Sequence, residues 1–180
     1  SASGSWVIGY NTAGFNWAND YIQFDTGGEK GDGSGTVFGA APSSTVFTTG
    51  SGINGTNGVT QIAYCFASVD GFSKIGSYTG NGNADGPFIY TGFRPAWIMI
   101  KRIDSNGNSW RIHDSKRGVN DAINTLHANL SNAEDVNNVD DDFLSNGYKV
   151  RTTSSDQNTN ASPYIYLAFA EQPFKYANAR

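Results

Sequence analysis

Four short blocks occur twice, in the same order, along this chain of 180 residues. Trp6-Val7-Ile8 is matched by Trp97-Ile98-Met99, and Tyr21-Ile22-Gln23-Phe24-Asp25 by Trp110-Arg111-Ile112-His113-Asp114. Val46-Phe47-Thr48-Thr49 is matched by Val150-Arg151-Thr152-Thr153, and Ile62-Ala63-Tyr64-Cys65-Phe66-Ala67 by Ile165-Tyr166-Leu167-Ala168-Phe169-Ala170. The segments that follow also agree, Gly71-Phe72-Ser73-Lys74 with Gln172-Pro173-Phe174-Lys175. The first two pairs are spaced by about 90 residues and the last two by about 104, so one insertion, at residues 119–142, separates two copies of one strand set. A sheet that is apolar on one face must bury it. Two similar strand sets meet that demand by stacking as one β-sandwich with an internal pseudo-twofold repeat. Its halves are residues 1–80 and 81–180.

Composition agrees with this class. Glycine supplies 22 residues and aromatics 13%, while charged residues are only 16%. The strand-forming blocks are joined by Gly/Asn/Ser/Thr loops, the punctuation of an all-β domain. No apolar run approaches a membrane-spanning length, and a single cysteine excludes a disulfide framework. With a net charge of −4 there is no basic bias to attract nucleic acid. The absence of a starting Met and of a signal-peptide pattern suits a piece of a longer protein. Strands are expected at Trp6–Tyr10, Tyr21–Phe24, Ser44–Thr48, Phe72–Tyr78, Phe88–Tyr90, Trp110–His113, Tyr148–Thr152 and Tyr164–Ala170. A buried strand is expected at Thr60–Ser68, with Cys65 as a small core residue, and a central strand at Pro95–Arg102. Val119–Ala133, within the insertion, is the one stretch with helical character.

Few residues suggest chemistry. Asn81-Gly82-Asn83-Ala84-Asp85-Gly86 matches the first half of a calcium loop, making Asn81, Asn83 and Asp85 candidate Ca²⁺ ligands. The twelfth position is Gly92 rather than Glu, and a tight Gly/Asn turn is the alternative. Asp140-Asp141-Asp142 reads as a solvated acidic loop. A glycosidase needs two carboxylates at a set separation, and none of Glu29, Glu134 and Glu171 lies in an acidic strand. Asp25 and Asp114 occupy repeat-related strand ends and read as turn formers. His113 and His127 have no metal-site spacing. Trp17, Tyr21, Trp110 and Tyr10 are candidate sugar-stacking rings, with Trp17 expected to be exposed in its polar loop and Tyr21 and Trp110 alternatively core residues. Arg111, His113, Lys116 and Arg117 belong to a basic cluster that reads either as an anion- or sugar-facing patch or as a solvated edge.

The second half carries a further signal. Gly71-Phe72-Ser73-Lys74-Ile75-Gly76-Ser77-Tyr78-Thr79-Gly80-Asn81-Gly82, Asp85–Trp97, Asn129–Glu134, Phe143–Tyr148 and Tyr164–Glu171 with Pro173-Phe174-Lys175 resemble an uncharacterised repeat domain of large bacteriophage virion proteins, especially from marine phages. The resemblance covers nearly all of residues 60–180. It implies a concanavalin-like (jelly-roll) sandwich in a tail-fibre-like protein of the virion, and it assigns no functional residues. The expectation is a non-enzymatic appendage module that recognises host-surface glycan or protein, forms homo-oligomers, and takes no cofactor unless the Asn81 loop holds Ca²⁺. The rival is a structural spacer or decoration that contacts other virion proteins, and a polysaccharide depolymerase comes third.

Overall fold

The computed structural model describes residues 5–12, 14–54, 60–119, 122–136 and 141–173. In chain order its elements are β1 (Val7–Ile8), β2 (Asp20–Gln23), β3 (Gly31–Asp32), a single helical turn α1 (Ser51–Asn54), β4 (Ser73–Thr79), β5 (Phe88–Tyr90), β6 (Pro95–Arg102), β7 (Arg111–Asp114), β8 (Gly118–Val119), β9 (Ala122–Ile123), β10 (Leu126–His127), β11 (Asp142–Leu144), β12 (Gly147–Lys149) and β13 (Pro163–Ala170). The chain is all-β and folds as a sandwich of antiparallel sheets. A five-stranded sheet in the order β10-β7-β6-β13-β4 is the largest, beside two three-stranded sheets, β1-β2-β3 and β11-β12-β5, and the ribbon β8-β9.

Alternation along the two longest strands explains the layering, since successive side chains in a strand point to opposite faces. Ile98 and Ile100 of β6 and Tyr164, Tyr166 and Ala168 of β13 share one face. They pack with Ile89, Phe143 and Tyr148 of the β11-β12-β5 sheet and with Val150 beside it. Ile165 of β13 and Met99 of β6 take the opposite face and join Tyr10, Ile22, Trp110, Ile8 and Phe24 from the β1-β2-β3 side. The five-stranded sheet is therefore the middle layer, apolar on both faces, with a smaller sheet on each.

As expected, Pro95–Arg102 is a central strand, flanked by β7 and β13. β13 is held on both sides, Leu167 standing opposite Ile75 of β4 and Met99 of β6. The repeat is visible as two antiparallel hairpins, β1-β2 and β6-β7, but their registers differ by one residue. Val7 faces Gln23, whereas Ile98 faces His113 rather than Ile112. A slip of one residue exchanges the two faces of a strand. It sends His113 into the core with Ile98 and leaves Ile112 half-buried on the other side.

Three local expectations are corrected. Thr60–Ser68 is not a buried strand: every residue from Thr60 to Asp70 is exposed, Cys65 included, and the segment's nearest ladder contact is a single bridge, Val69 with Ser73. Its C-terminal end meets β4, an edge strand, where the Ser68 hydroxyl accepts the Ile75 N–H at 3.0 Å and the Ala67 carbonyl accepts the Ser73 hydroxyl at 2.6 Å. Ser44–Thr48 is exposed and without strand structure, because the Ser43 hydroxyl accepts the N–H groups of Thr45 and Val46 and folds the chain into a turn. The insertion 119–142 shows no helix among its described residues. Leu126 pairs with Ile112 at the edge of the large sheet, and Thr125 and Asp135 exchange backbone hydrogen bonds of 3.0 and 2.9 Å. That edge satisfies the backbone as a helix would have done.

Tyr10 fastens the N-terminal layer to the middle one. Its hydroxyl lies 2.6 Å from the Tyr166 carbonyl oxygen and also contacts the Gly76 carbonyl, while accepting the N–H groups of Tyr166 and Gly76 at 3.0 and 3.1 Å. Burial pushes the phenol well above its ordinary range. Gly76 is required here, because a Cβ would stand 2.5 Å from the Tyr166 hydroxyl. Tyr10→Phe is expected to lower the unfolding free energy by about 1–3 kcal/mol, the cost of stranding buried backbone partners. Urea denaturation with an unchanged m-value is the check.

Candidate recognition surface

The aromatic residues singled out from the sequence are mostly structural. Trp110 is 2% exposed, and its indole Nε1 donates to the Gln23 carbonyl at 3.0 Å. Tyr21 is half-buried and lies over Gly31, where a Cβ would meet its ring at 2.6 Å. Trp17 is not exposed as expected. It is half-buried, edge-on between Phe15 and Phe38 with ring centroids 5.1 Å from each, and it covers Gly9. Its polar loop turned it inward because Phe15 and Phe38 offer it an apolar seat.

The basic cluster is matched by acids. Arg111 grips Asp156 through Nε and Nη2 at 3.1 and 2.9 Å. Arg117 bridges Asp114 at 2.6 Å and Glu134 at 3.3 Å, and exposed Lys116 lies 3.4 Å from Glu171, which also pairs with Arg94 at 2.9 Å. Asp114 accepts the Lys116 N–H at 2.9 Å, the turn-forming role read from the repeat. The charge of the cluster is thus largely balanced by these acids, and Arg111 is mostly buried against Asp156.

The Asn81–Gly86 loop is closed by its own side chains. Asn81 Oδ1 accepts the Asn83 N–H at 3.0 Å and Asn83 Oδ1 accepts the Asp85 N–H at 2.9 Å. Asn158, fully buried, accepts the Asn81 N–H and donates to the Asn83 carbonyl, both at 2.7 Å. Asp85 pairs with Lys149 at 2.7 Å, which holds its carboxyl below the usual range. These are the contacts of an Asx-turn loop. Among the described residues no group of three or more His, Cys, Asp or Glu could hold a metal ion.

Two buried polar systems escaped sequence reading. Lys101 of β6 is fully buried, and its Nζ donates to the carbonyls of Arg102 (2.8 Å), Asn108 (2.9 Å) and Gly27 (3.5 Å). Burial lowers its pKa to about 8. The second system centres on His113 and Asp141. His113 Nε2 lies 2.9 Å from Thr125 Oγ1, and Nδ1 contacts the Tyr148 hydroxyl. The Tyr148 hydroxyl and Gln157 Nε2 donate to Asp141 Oδ2 at 2.8 and 2.6 Å, and the Arg151 N–H donates to Oδ1 at 2.8 Å. Asp141, expected in a solvated loop, is therefore core. Of its neighbours in that acidic run, Asp142 is also buried, on Arg151 Nε at 2.8 Å, and Asp140 lies outside the described residues. An acid and a base side by side would suit proton transfer. Here His113 is 1% exposed and Asp141 0%, and both lie in the core.

What the fold presents instead is a pair of rings on β5. Ile89 is buried, so Phe88 and Tyr90 point outward, 45% and 63% exposed. They sit opposite Lys149 and Gly147 of β12. Phe88 lies across Gly147, where a Cβ would stand 2.7 Å from its ring. The missing side chain leaves a flat aromatic shelf bordered by Lys149 and the Asn81–Gly86 loop. The signal was present: Phe88-Ile89-Tyr90 alternates around an apolar centre, and its rings belong to none of the four repeated blocks.

A family model for a domain of unknown function, DUF7483, matches residues 1–173. The chain belongs to that family. No curated protein and no solved structure matches it. The family gives the DUF7483 domain no activity, so its surfaces must be read from their chemistry.

The buried pair makes opposed contributions to the pH dependence of this DUF7483 domain. Burial, with nearby Arg111, lowers His113 to about 3, and burial raises Asp141 to about 6 against the pull of its donors. Between about pH 3 and 6.5 the unfolded chain binds a proton at His113 that the folded chain does not, so this term loses stability on acidification. Between about pH 4 and 6 the folded chain binds a proton at Asp141 that the unfolded chain does not, so that term loses stability as pH rises. The two offset each other near pH 5. Relative to wild type, Asp141→Asn is expected to lose stability as pH falls through this window, and His113→Gln as pH rises. Each slope approaches about tenfold in the folding constant per pH unit. Urea melts at pH 4, 5 and 6 measure both signs.

Proposed function

We propose that this domain is a non-enzymatic recognition module displayed on a virion appendage, and that the Phe88/Tyr90 shelf is its contact face for host-surface glycan. The single observation that carries this reading is the outward pair of rings, Phe88 lying over Gly147 and Tyr90 beside it, on a sheet whose other face is core. An exposed aromatic face suits the C–H face of a pyranose. A rigid strand holds the rings at little entropic cost. The virion setting comes from the resemblance of residues 60–180. The non-enzymatic reading is supported by the burial of the His113–Asp141 pair in the core. Individual contacts of this size are weak, and several copies on one particle would supply avidity.

The test is glycan-array and host-cell binding by the full chain. Phe88→Ala/Tyr90→Ala is expected to lower binding at least tenfold, the effect of removing central aromatic anchors, while Trp17→Ala has little effect on binding. Binding unchanged in the double variant sinks the reading. Loss on protease treatment of the host surface, rather than on glycosidase treatment, would make the partner a protein. Reducing-sugar release from host polysaccharide would revive the depolymerase.

A second reading, a structural module assembled with other virion subunits, has its own observation in the exposed segment 60–68.

A further inference from the structure

Residues 60–69 read Thr-Gln-Ile-Ala-Tyr-Cys-Phe-Ala-Ser-Val, ten residues without a charge. Ile62-Ala63-Tyr64-Cys65-Phe66-Ala67 is the repeat partner of β13 residues 165–170, and β13 is flanked by a strand on each side and largely buried. The same pattern at 60–68 lies in the open. Ile62, Tyr64 and Phe66 are 68%, 69% and 57% exposed, and no strand among the described residues pairs with them. Tyr64 stacks on half-exposed Trp6 at 6.1 Å, and Phe66 meets Phe169 edge-on at 6.1 Å. The Ala67 carbonyl accepts the Ser73 hydroxyl at 2.6 Å, but residues 60–68 enter no ladder among the described residues, and a strand-forming segment of that kind is a template for another strand.

We propose that residues 60–68 are an intermolecular β-strand, through which two copies of this chain pair antiparallel about a twofold axis with Cys65 opposite Cys65. A second copy is the partner for three reasons. The segment has no charge, so two domains of net charge −4 can meet along it without opposed like charges. Its sequence is of the kind that already pairs antiparallel within this chain, on both edges of β13. A twofold contact needs only one self-complementary surface.

Symmetry and side-chain parity then fix the register. Residues directly opposite in an antiparallel pair share a face. A twofold axis falling between residues would set Tyr64 against Cys65 and split the apolar faces of the two strands. An axis through a residue keeps them together. Centring on Cys65 pairs Tyr64 with Phe66 twice and Ile62 with Ser68 twice, which gives the most cross-strand aromatic contact. The small side chains of Ala63, Cys65 and Ala67 then line the other face, and the two thiols are neighbours.

This inference stands apart from the glycan reading, because Phe88 and Tyr90 lie on a different sheet, and the Phe88→Ala/Tyr90→Ala variant should leave pairing intact. The test uses the full chain. Sedimentation velocity at micromolar concentration should show a dimer. Mild oxidation should link it through Cys65, with a yield that persists on tenfold dilution. Tyr64→Lys/Phe66→Lys, at exposed positions that leave the circular dichroism spectrum unchanged, should sediment as a monomer and lose the crosslink. Ala63→Pro should do the same by removing a ladder donor. Cys65→Ser should still dimerise without the covalent link. A wild-type monomer overturns the proposal, whether Cys65 reacts freely with thiol reagents or is protected because the segment has closed on its own chain. A dimer that survives Tyr64→Lys/Phe66→Lys also overturns it, since the interface then lies elsewhere.

Discussion

A sheet that is apolar on both faces has to be covered twice, and that constraint organises this molecule. β6 and β13 carry large side chains on alternate residues to both sides, so neither face can be left to water. One face is closed by β11-β12-β5 and the other by β1-β2-β3. The covering sheets are small, with strands of two to four residues. Strands so short contribute little ladder stability alone and depend on what they bury. The Tyr10 hydroxyl and the Lys101 ammonium supply directional contacts to the N-terminal layer, one by joining Tyr10 to the backbone of β4 and β13, the other by reaching the Gly27 carbonyl from β6.

The buried polar groups fit a role in specifying register. His113 is in the core only because β7 is offset by one residue from the pairing its repeat partner uses. Once there, it is met by Thr125 on one nitrogen and Tyr148 on the other, and Tyr148 is tied to Asp141. Any slip of β7 would leave these groups buried without partners, at a cost of about 1–3 kcal/mol each. The arrangement is not perfectly economical. Among the described residues Trp17 Nε1 and Gln157 Oε1 are buried without a hydrogen-bond partner.

The aromatic residues divide by role along lines the repeat partly reveals. Tyr21 and Trp110 occupy repeat-related strands and serve packing. Phe88 and Tyr90 stand outside the repeated blocks and face solvent. The segment 60–68 breaks this division. It is repeat-related yet exposed, meeting β4 through Ala67 and Ser68, whereas its repeat partner β13 is paired on both sides. A sequence duplicated within a chain need not have its structural environment duplicated with it.

The sequence by itself determined the all-β class, the central place of Pro95–Arg102, the β13 strand and the turn at Asp114. Each follows from local alternation or turn chemistry, which a window of a few residues contains. Three matters belonged to the tertiary structure alone. The first is which of the two repeat-related segments, 62–67 and 165–170, enters the large sheet, since pairing between distant stretches is not contained in either stretch. The second is the one-residue offset of β7, which turned His113 from a surface candidate into a core residue. The third is the pairing of the basic cluster with Asp114, Glu134, Asp156 and Glu171, since charges become neighbours only when the chain folds. The recognition surface fell between these cases. Alternation in Phe88-Ile89-Tyr90 announced two rings on one side, but only the sheet decided that this side faces solvent and that Gly147 lies beneath.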